Sequence, residues 1–371
     1  MSSFNPSANE PRIQILDGFR CIAVLSVIFY HYYFWFSGFK ELRDYPSQVV
    51  FKYGFLGVHL FFMISGFVIF RSLEQSFSVK QFLGKRYLRL APSLIVCSII
   101  TYVMIVYWNA SPRLDMFNVH SPASFLFSFT FINPDIWNTI FATDNIRYID
   151  GAYWSLWPEV IFYISASIVY FILRKKDFLG NWITLVLVLN ILRVLTSPKL
   201  EGYTPDFLLP ITSGYYRFFL FMNITQWVYF TMGVVFYTLW MKREIPRLVW
   251  IMLAVLLMME MYFIPDVFVR IFIVLAIGLW AMFLKKPQWL QFLTWRPFQF
   301  IGLISYPLYL LHETAGIVLS EKLILWTNHQ VPISVLLLVV LIVIALMAYL
   351  IFTVFDKHVT KALKRQLLGI K

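Results

Sequence analysis

Charge is scarce in this chain: Asp, Glu, Lys and Arg make up 13% of its 371 residues, while 60% are hydrophobic. Soluble domains carry about a quarter charged residues, so an ordinary solvated surface is excluded, and a mean hydropathy of +0.72 agrees. High hydrophobicity also excludes intrinsic disorder. Cysteine is nearly absent. Cys21 and Cys97 both fall in apolar stretches, which leaves no disulfide framework and no metal-ligand spacing. No internal repeat is found, which removes solenoids and coiled coils. The opening MSSFNPSANEP lacks a basic segment, and no small-residue cleavage site follows the first apolar run. That run therefore reads as an uncleaved span and not as a signal peptide.

Long apolar runs are what the sequence has instead. A bilayer core about 30 Å thick needs roughly 20 apolar residues per helix, because lipid offers backbone polar groups no partner. Ten runs qualify, near 14–36, 54–73, 89–108, 152–173, 179–196, 215–240, 247–264, 267–284, 298–319 and 331–354. The fold class expected is an all-α, polytopic transmembrane bundle forming one integral-membrane domain over 1–371, with an N-terminal tail over 1–12 and a basic tail over 356–371. The net charge of +12 would suggest nucleic acid in a soluble chain, yet the basic residues lie between the apolar runs and read as topology signals. With the N-terminus in the cytoplasm, 20 of the 31 Lys and Arg fall on that side, among them Arg71, Lys85, Arg86, Arg89, the cluster Arg174, Lys175 and Lys176, and Lys364 and Arg365. The opposite loops carry seven, including Lys40, Arg43, Arg113 and Lys199. The positive-inside rule then puts both termini in the cytoplasm. The longest outer loop, Asn109 to Gly151, holds the apolar patch Phe125 to Ile132, which suggests a re-entrant or interfacial element. Aromatic residues, 19% of the chain, are expected mostly at membrane interfaces and on lipid-facing surface.

Ionisable groups inside a span cost several kcal/mol unless a partner, water or the bundle interior receives them, so each one is a functional candidate. Arg20 and His31 are 11 positions apart in the first span, almost three turns, which places them on one face about 16 Å apart along the axis. Asp17 can pair with Arg20 across one turn. The plainer alternative is that Arg20 snorkels and His31 satisfies a neighbour in the core. In SVKQFLGKRYLRLAP, Val79, Phe82, Leu83, Tyr87 and Leu90 recur at helical spacing, which predicts a basic amphipathic helix in the cytoplasmic interface. Arg86 falls on its apolar face, and with Arg89 forms a fork suited to phosphate, whether of a ligand or of lipid headgroups.

The fourth span, AYWSLWPEVIFY, holds Glu159 in apolar surroundings with Ser155 four residues earlier. Its carboxylate either orients His31 or locks two helices together. The ninth, GLISYPLYLLHETAG, adds Ser305, Tyr309, His312 and Glu313, with Ser305, Tyr309 and His312 roughly on one face. Gly54, Gly57 and Gly66 suit close backbone approach. An enzyme and a transporter or flippase both fit such intramembrane Arg, His and Glu. Against transport stand the lack of a repeat and of paired broken helices.

Taken in order, ILDGFRCIAVLSVIFYH, GFLGVHLFFMISGF, GKRYLRLAPS, YWSLWPE and ISYPLYLLHE cover nearly the whole chain. This series resembles the membrane acyltransferase-3 family, whose members acylate polysaccharides and related cell-surface or secreted molecules. The family's first-span signature, an arginine and a histidine with ten residues between, corresponds to Arg20 and His31. Its R-x-x-R signature corresponds to Arg86 and Arg89. Two positions depart from the pattern: Cys21 replaces a glycine, and Thr314 stands where proline is common, which weakens any role transferred to His312. The resemblance implies an O-acyltransferase of the bacterial inner membrane that takes acyl-CoA, by default acetyl-CoA, from the cytoplasm. The acceptor it implies is a hydroxyl on a glycan or lipid-linked sugar. Arg86 and Arg89, joined by Arg20, are then expected to bind the donor phosphates. His31 is expected to act as general base or transient acyl carrier, with Glu159 orienting it. Asp17, Ser65, Ser155, Tyr309, His312 and Glu313 are expected to line the site, with Ser65, Ser155 and Tyr309 the side-chain candidates for an oxyanion donor. No metal and no permanently bound cofactor is expected.

Overall fold

A computed structural model describes residues 13–35, 50–108, 121–173, 177–197 and 209–363. Outside these lie the tail over 1–12, Arg174 to Lys176, Lys364 and Arg365, and the outer-loop residues Lys40, Arg43, Arg113 and Lys199. The described residues are helical, with no strand among them. The long helices are α1 (Gln14–Tyr30), α2 (Gly57–Glu74), α3 (Val79–Trp108), α4 (Leu156–Ile168), α5 (Phe178–Leu195), α6 (Leu209–Phe221), α7 (Trp227–Trp240), α8 (Arg247–Phe263), α9 (Val267–Lys285), α10 (Arg296–Leu311), α11 (Thr314–Trp326) and α12 (Ile333–Ile351).

Among the described residues, seven helical segments are long and apolar enough to cross a membrane: Gln14–Trp35, Gly54–Glu74, Val79–Trp108, Gly151–Leu173, Phe178–Leu195, Val267–Lys285 and Ile333–Leu363. The other three apolar runs have local reasons for standing apart. The sixth breaks between α6 and α7, where Asn223 takes a left-handed conformation at φ 49°. The seventh, α8, has only 17 residues. The ninth breaks at His312 and Glu313, between α10 and α11. Spans thus are interrupted at two places where the apolar pattern alone reads as continuous, so the lack of broken helices no longer counts against transport.

The basic segment expected as a separate interfacial helix forms instead the first turns of α3, which runs 30 residues through Pro92. Of the expected apolar face, Phe82 and Leu90 are buried while Tyr87 is exposed, and Leu88 and Ala91 are buried next to Leu90. Part of the segment expected as the longest outer loop forms two short helices, Pro122–Phe127 and Pro134–Ile140.

The chain divides into two compact units whose segments alternate along the sequence. The first comprises 59–83 and 158–290. Its core is aromatic: Trp182, Trp227, Trp280, Tyr229 and Phe230 are fully buried. Large rings remove much apolar area from water and stack in offset or tilted pairs. Phe236 lies parallel to Trp280 with centroids 4.9 Å apart, and Phe162 stacks on Phe230 at 4.3 Å. Gly66 and Gly233 let α2 and α7 approach; a Cβ on Gly66 would collide with the Phe230 carbonyl, and one on Gly233 with that of Met63.

The second unit comprises the described residues of 12–58, 84–157 and 291–371. Here α1 and α10 lie side by side and parallel, as contacts from both ends show: Gln299 donates to the Gln14 carbonyl at 2.8 Å, and His312 meets His31 at 3.2 Å. Gly302 fixes their spacing, since a Cβ there would strike the backbone of Asp17, and Gly18 does the same against Leu293. Gly54 and Gly57 bring the start of the second span onto Ser26 and Ala23 of α1 in the same way. Helix α3 meets α10 where the Tyr306 hydroxyl donates to the Leu90 carbonyl at 3.1 Å.

Candidate functional site

The close pairing of α1 with α10 brings together two histidines 281 positions apart in sequence. His31 begins a π-helical turn, His31–Trp35, that continues α1. Its Nδ1 lies 2.9 Å from the Val27 carbonyl oxygen and 3.2 Å from His312 Nε2, and its Nε2 lies 3.4 Å from Glu313 Oε2. His312 Nδ1 is 2.6 Å from the Tyr309 carbonyl oxygen. The helix break between α10 and α11 is what frees His312 and Glu313 to face α1. Their accessibility differs: His312 is fully buried, while the side chains of His31 and Glu313 are 13% and 14% exposed.

Asp150 organises the floor of this cluster. One carboxylate oxygen accepts the Ala152 amide at 2.9 Å and so caps the 3-10 turn Gly151–Ser155. The other accepts the Thr314 amide at 2.9 Å, at the N-terminus of α11, where the helix dipole favours an anion. Burial and the neighbouring Glu313 charge push the Asp150 carboxyl well above the usual range, and the two amides oppose that. Thr314 therefore supplies an N–H that proline, common at this position in the resembling family, does not have. Gly151 makes room for the Glu313 carboxylate, which a Cβ would strike. The Tyr309 hydroxyl reaches Ser155 Oγ at 2.9 Å and the Ala152 carbonyl at 3.1 Å. Thus Ser155, Tyr309, His312 and Glu313 gather in the unit that holds His31.

Asp17 and Arg20 form the expected pair at 2.9 Å, with Asp17 buried and Arg20 19% exposed. Arg86 is half-buried and Arg89 exposed on α3, one turn before the Leu90 contact with Tyr306. Ser305 is buried and donates to the Gly302 carbonyl at 2.9 Å.

Glu159 and Ser65 belong to the first unit. Glu159 Oε1 accepts from Ser65 Oγ at 2.7 Å and from the Tyr163 hydroxyl at 2.5 Å. Within the second unit, the Glu313 carboxylate lies 3.4 Å from His31 Nε2. Asp150 and Gly151 were not singled out from the sequence, although the Asp-Gly pair just before an apolar run is a recognisable start signal.

Chemically, the cluster offers an imidazole with access, a second imidazole behind it, and two carboxylates next to helix N-termini. This is equipment for moving a proton in a place from which bulk water is largely kept away.

Comparison with known proteins follows this geometry. Residues 13–352 match the family described as acyltransferase domain. The O-acetyltransferase OatA of Staphylococcus aureus is 24% identical over 385 residues, covering 93% of this chain and 57% of that protein. The peptidoglycan O-acetyltransferase OatA of Listeria monocytogenes is 30% identical over 164 residues, 40% of this chain and 22% of its own length. An O-acetyl transferase of Shigella phage Sf6 is 28% identical over 158 residues, covering 41% of this chain and 44% of the phage protein. The chain thus spans little more than half of the Staphylococcus relative and under a quarter of the Listeria one. No solved structure matches.

Proposed function

The chain belongs to the acyltransferase domain family, and from that premise we propose that it is a multi-pass membrane O-acyltransferase. It moves an acyl group, acetyl by default, from cytoplasmic acyl-CoA to a sugar hydroxyl of a cell-surface or exported glycan. The names of the relatives support O-acetylation, and peptidoglycan in the Listeria protein's name supports a cell-surface polymer as acceptor class. The ten-span topology with both termini in the cytoplasm, in a bacterial inner membrane, belongs to this proposal and rests on the distribution of Lys and Arg.

The observation that carries the reading is the partly open His31 at the end of α1, in contact with His312 and Glu313. In the proposed reaction Arg86, Arg89 and Arg20 hold the donor phosphates by charge-assisted hydrogen bonds. His31 takes the proton of the acceptor hydroxyl as it attacks the thioester carbonyl. Tyr309 and Ser155 are the hydroxyl candidates for steadying the oxyanion.

The test is incubation of purified protein with acetyl-CoA and glycan acceptors, read by mass analysis. Donor-dependent acyl product is expected. Uptake of either compound into vesicles without covalent change would overturn the enzyme reading in favour of a transporter.

A further inference from the structure

The pair formed by His31 and Glu313 can be taken further by accounting for its protons. A carbonyl oxygen has no proton to give, so the 2.9 Å contact of His31 Nδ1 with Val27 requires that Nδ1 carry the hydrogen. The same holds for His312 Nδ1, 2.6 Å from the Tyr309 carbonyl. A neutral His312 then has a bare Nε2, which accepts from the His31 Nδ1–H at 3.2 Å. Both rings are fixed in the same tautomer, and the nitrogen of His31 left for chemistry is Nε2. That nitrogen faces Glu313 Oε2 at 3.4 Å. Two lone pairs would repel at this distance in a desolvated site, so one proton must lie between them, as carboxylic acid with imidazole or as carboxylate with imidazolium.

We propose that Glu313 is the positioning carboxylate of His31: the two hold a single proton between Nε2 and Oε2 in the resting enzyme and take up a second during transfer. The proposal rests on the acyltransferase reading above and supplies its proton path. As the acceptor hydroxyl attacks, its O–H bond breaks and its proton goes to His31 Nε2, while the proton already present settles on Glu313. A C–O bond forms, the C–S bond of the thioester breaks, and one proton leaves the pair with the thiolate as thiol. The pair returns to one proton, with no outside oxidant or base. At 3.4 Å the shared proton makes a long and therefore weak bond, which lets Nε2 exchange partners. His312 stabilises the imidazolium by accepting from its Nδ1–H.

Two further features belong to the device. Gly151 is a cradle: any larger residue would push its Cβ into the Glu313 carboxylate. Asp150, buried beside it, keeps its oxygens on the Ala152 and Thr314 amides and so stays off the histidines. Tyr30, whose ring packs edge-on to His31 with centroids 5.0 Å apart, closes another side.

The experiment compares wild type with Glu313→Gln, Glu313→Asp and Gly151→Ala in steady-state acetyl transfer. It also measures labelling of His31 by diethyl pyrocarbonate, followed by mass spectrometry, in wild type, Glu313→Ala and Gly151→Ala. Glu313→Gln should lose about 100-fold in kcat with donor KM nearly unchanged, and Glu313→Asp should recover part of that loss. Glu313→Ala and Gly151→Ala should label His31 about tenfold faster at neutral pH, because the Nε2 lone pair is freed of the one hydrogen bond from the carboxyl that occupies it. Wild-type kcat in Glu313→Gln, or unchanged labelling in the other two, would overturn the proposal. The labelling needs no substrate, so it judges the pair even if the wild type transfers nothing, in which case the acyltransferase reading fails separately.

Discussion

The two units bury polar groups in different ways. In the first, half-buried Glu159 gathers Ser65 and Tyr163 on one oxygen, buried Trp182 donates to Thr231 at 2.9 Å, and Glu74 takes both the exposed Arg243 and the Tyr237 hydroxyl. Stacked rings surround them. In the second, the polar groups meet at helix ends and at a break, and two of them keep an open edge. Burial is costly in both, and the second unit's cluster joins two imidazoles to two carboxylates. The difference teaches that an intramembrane charge marks a function only after its partners are counted.

The largest effect is expected at the α1 and α10 contact that places His31. Gly302→Leu should cost about 3 kcal/mol or more through backbone collision, seen as loss of monodisperse protein and of transfer. Gly278→Ala in α9, where a Cβ meets nothing within 4 Å, is the matched control and should purify normally. Next comes Thr314→Pro, which removes the amide that binds Asp150 and should cost about 1–3 kcal/mol, with a matching fall in transfer; full activity would detach Asp150 from the site. Arg86→Ala should weaken apparent donor affinity about tenfold, the usual loss of one hydrogen bond to a charged group, with kcat little affected. Unchanged affinity would return Arg86 to lipid headgroups. The smallest effect is expected in the first unit: Glu159→Gln should lower stability by about 1 kcal/mol, read in a thermal melt. If it instead abolished transfer without touching the melt, the contrast between the units would collapse.

The helical class was legible because lipid admits few alternatives to helices, and apolar length alone exposes them. Arg20 and His31 were legible because their spacing lies within one helix. The partner of His31 was not. Glu159 and Glu313 look alike in sequence, each an acid in an apolar run, and the choice depends on which helices pair. Gly302 decides that by admitting the Asp17 backbone, a fact no spacing rule carries. The break at Glu313 was equally hidden, since it depends on Asp150, 164 positions away, accepting the Thr314 amide. Continuity of α3 through Pro92 escaped for the same reason: burial of Leu88, Leu90 and Ala91 holds the helix together where local pattern suggested an interfacial segment.

The central claim is that acyl transfer happens at the end of α1. Purified wild type and His31→Ala should be compared for acetyl transfer from labelled acetyl-CoA and, in the same preparations, for acetyl-CoA binding. The account predicts at least a 100-fold loss of transfer, on the scale of a removed general base, with donor binding retained. Transfer by His31→Ala at the wild-type rate would contradict it.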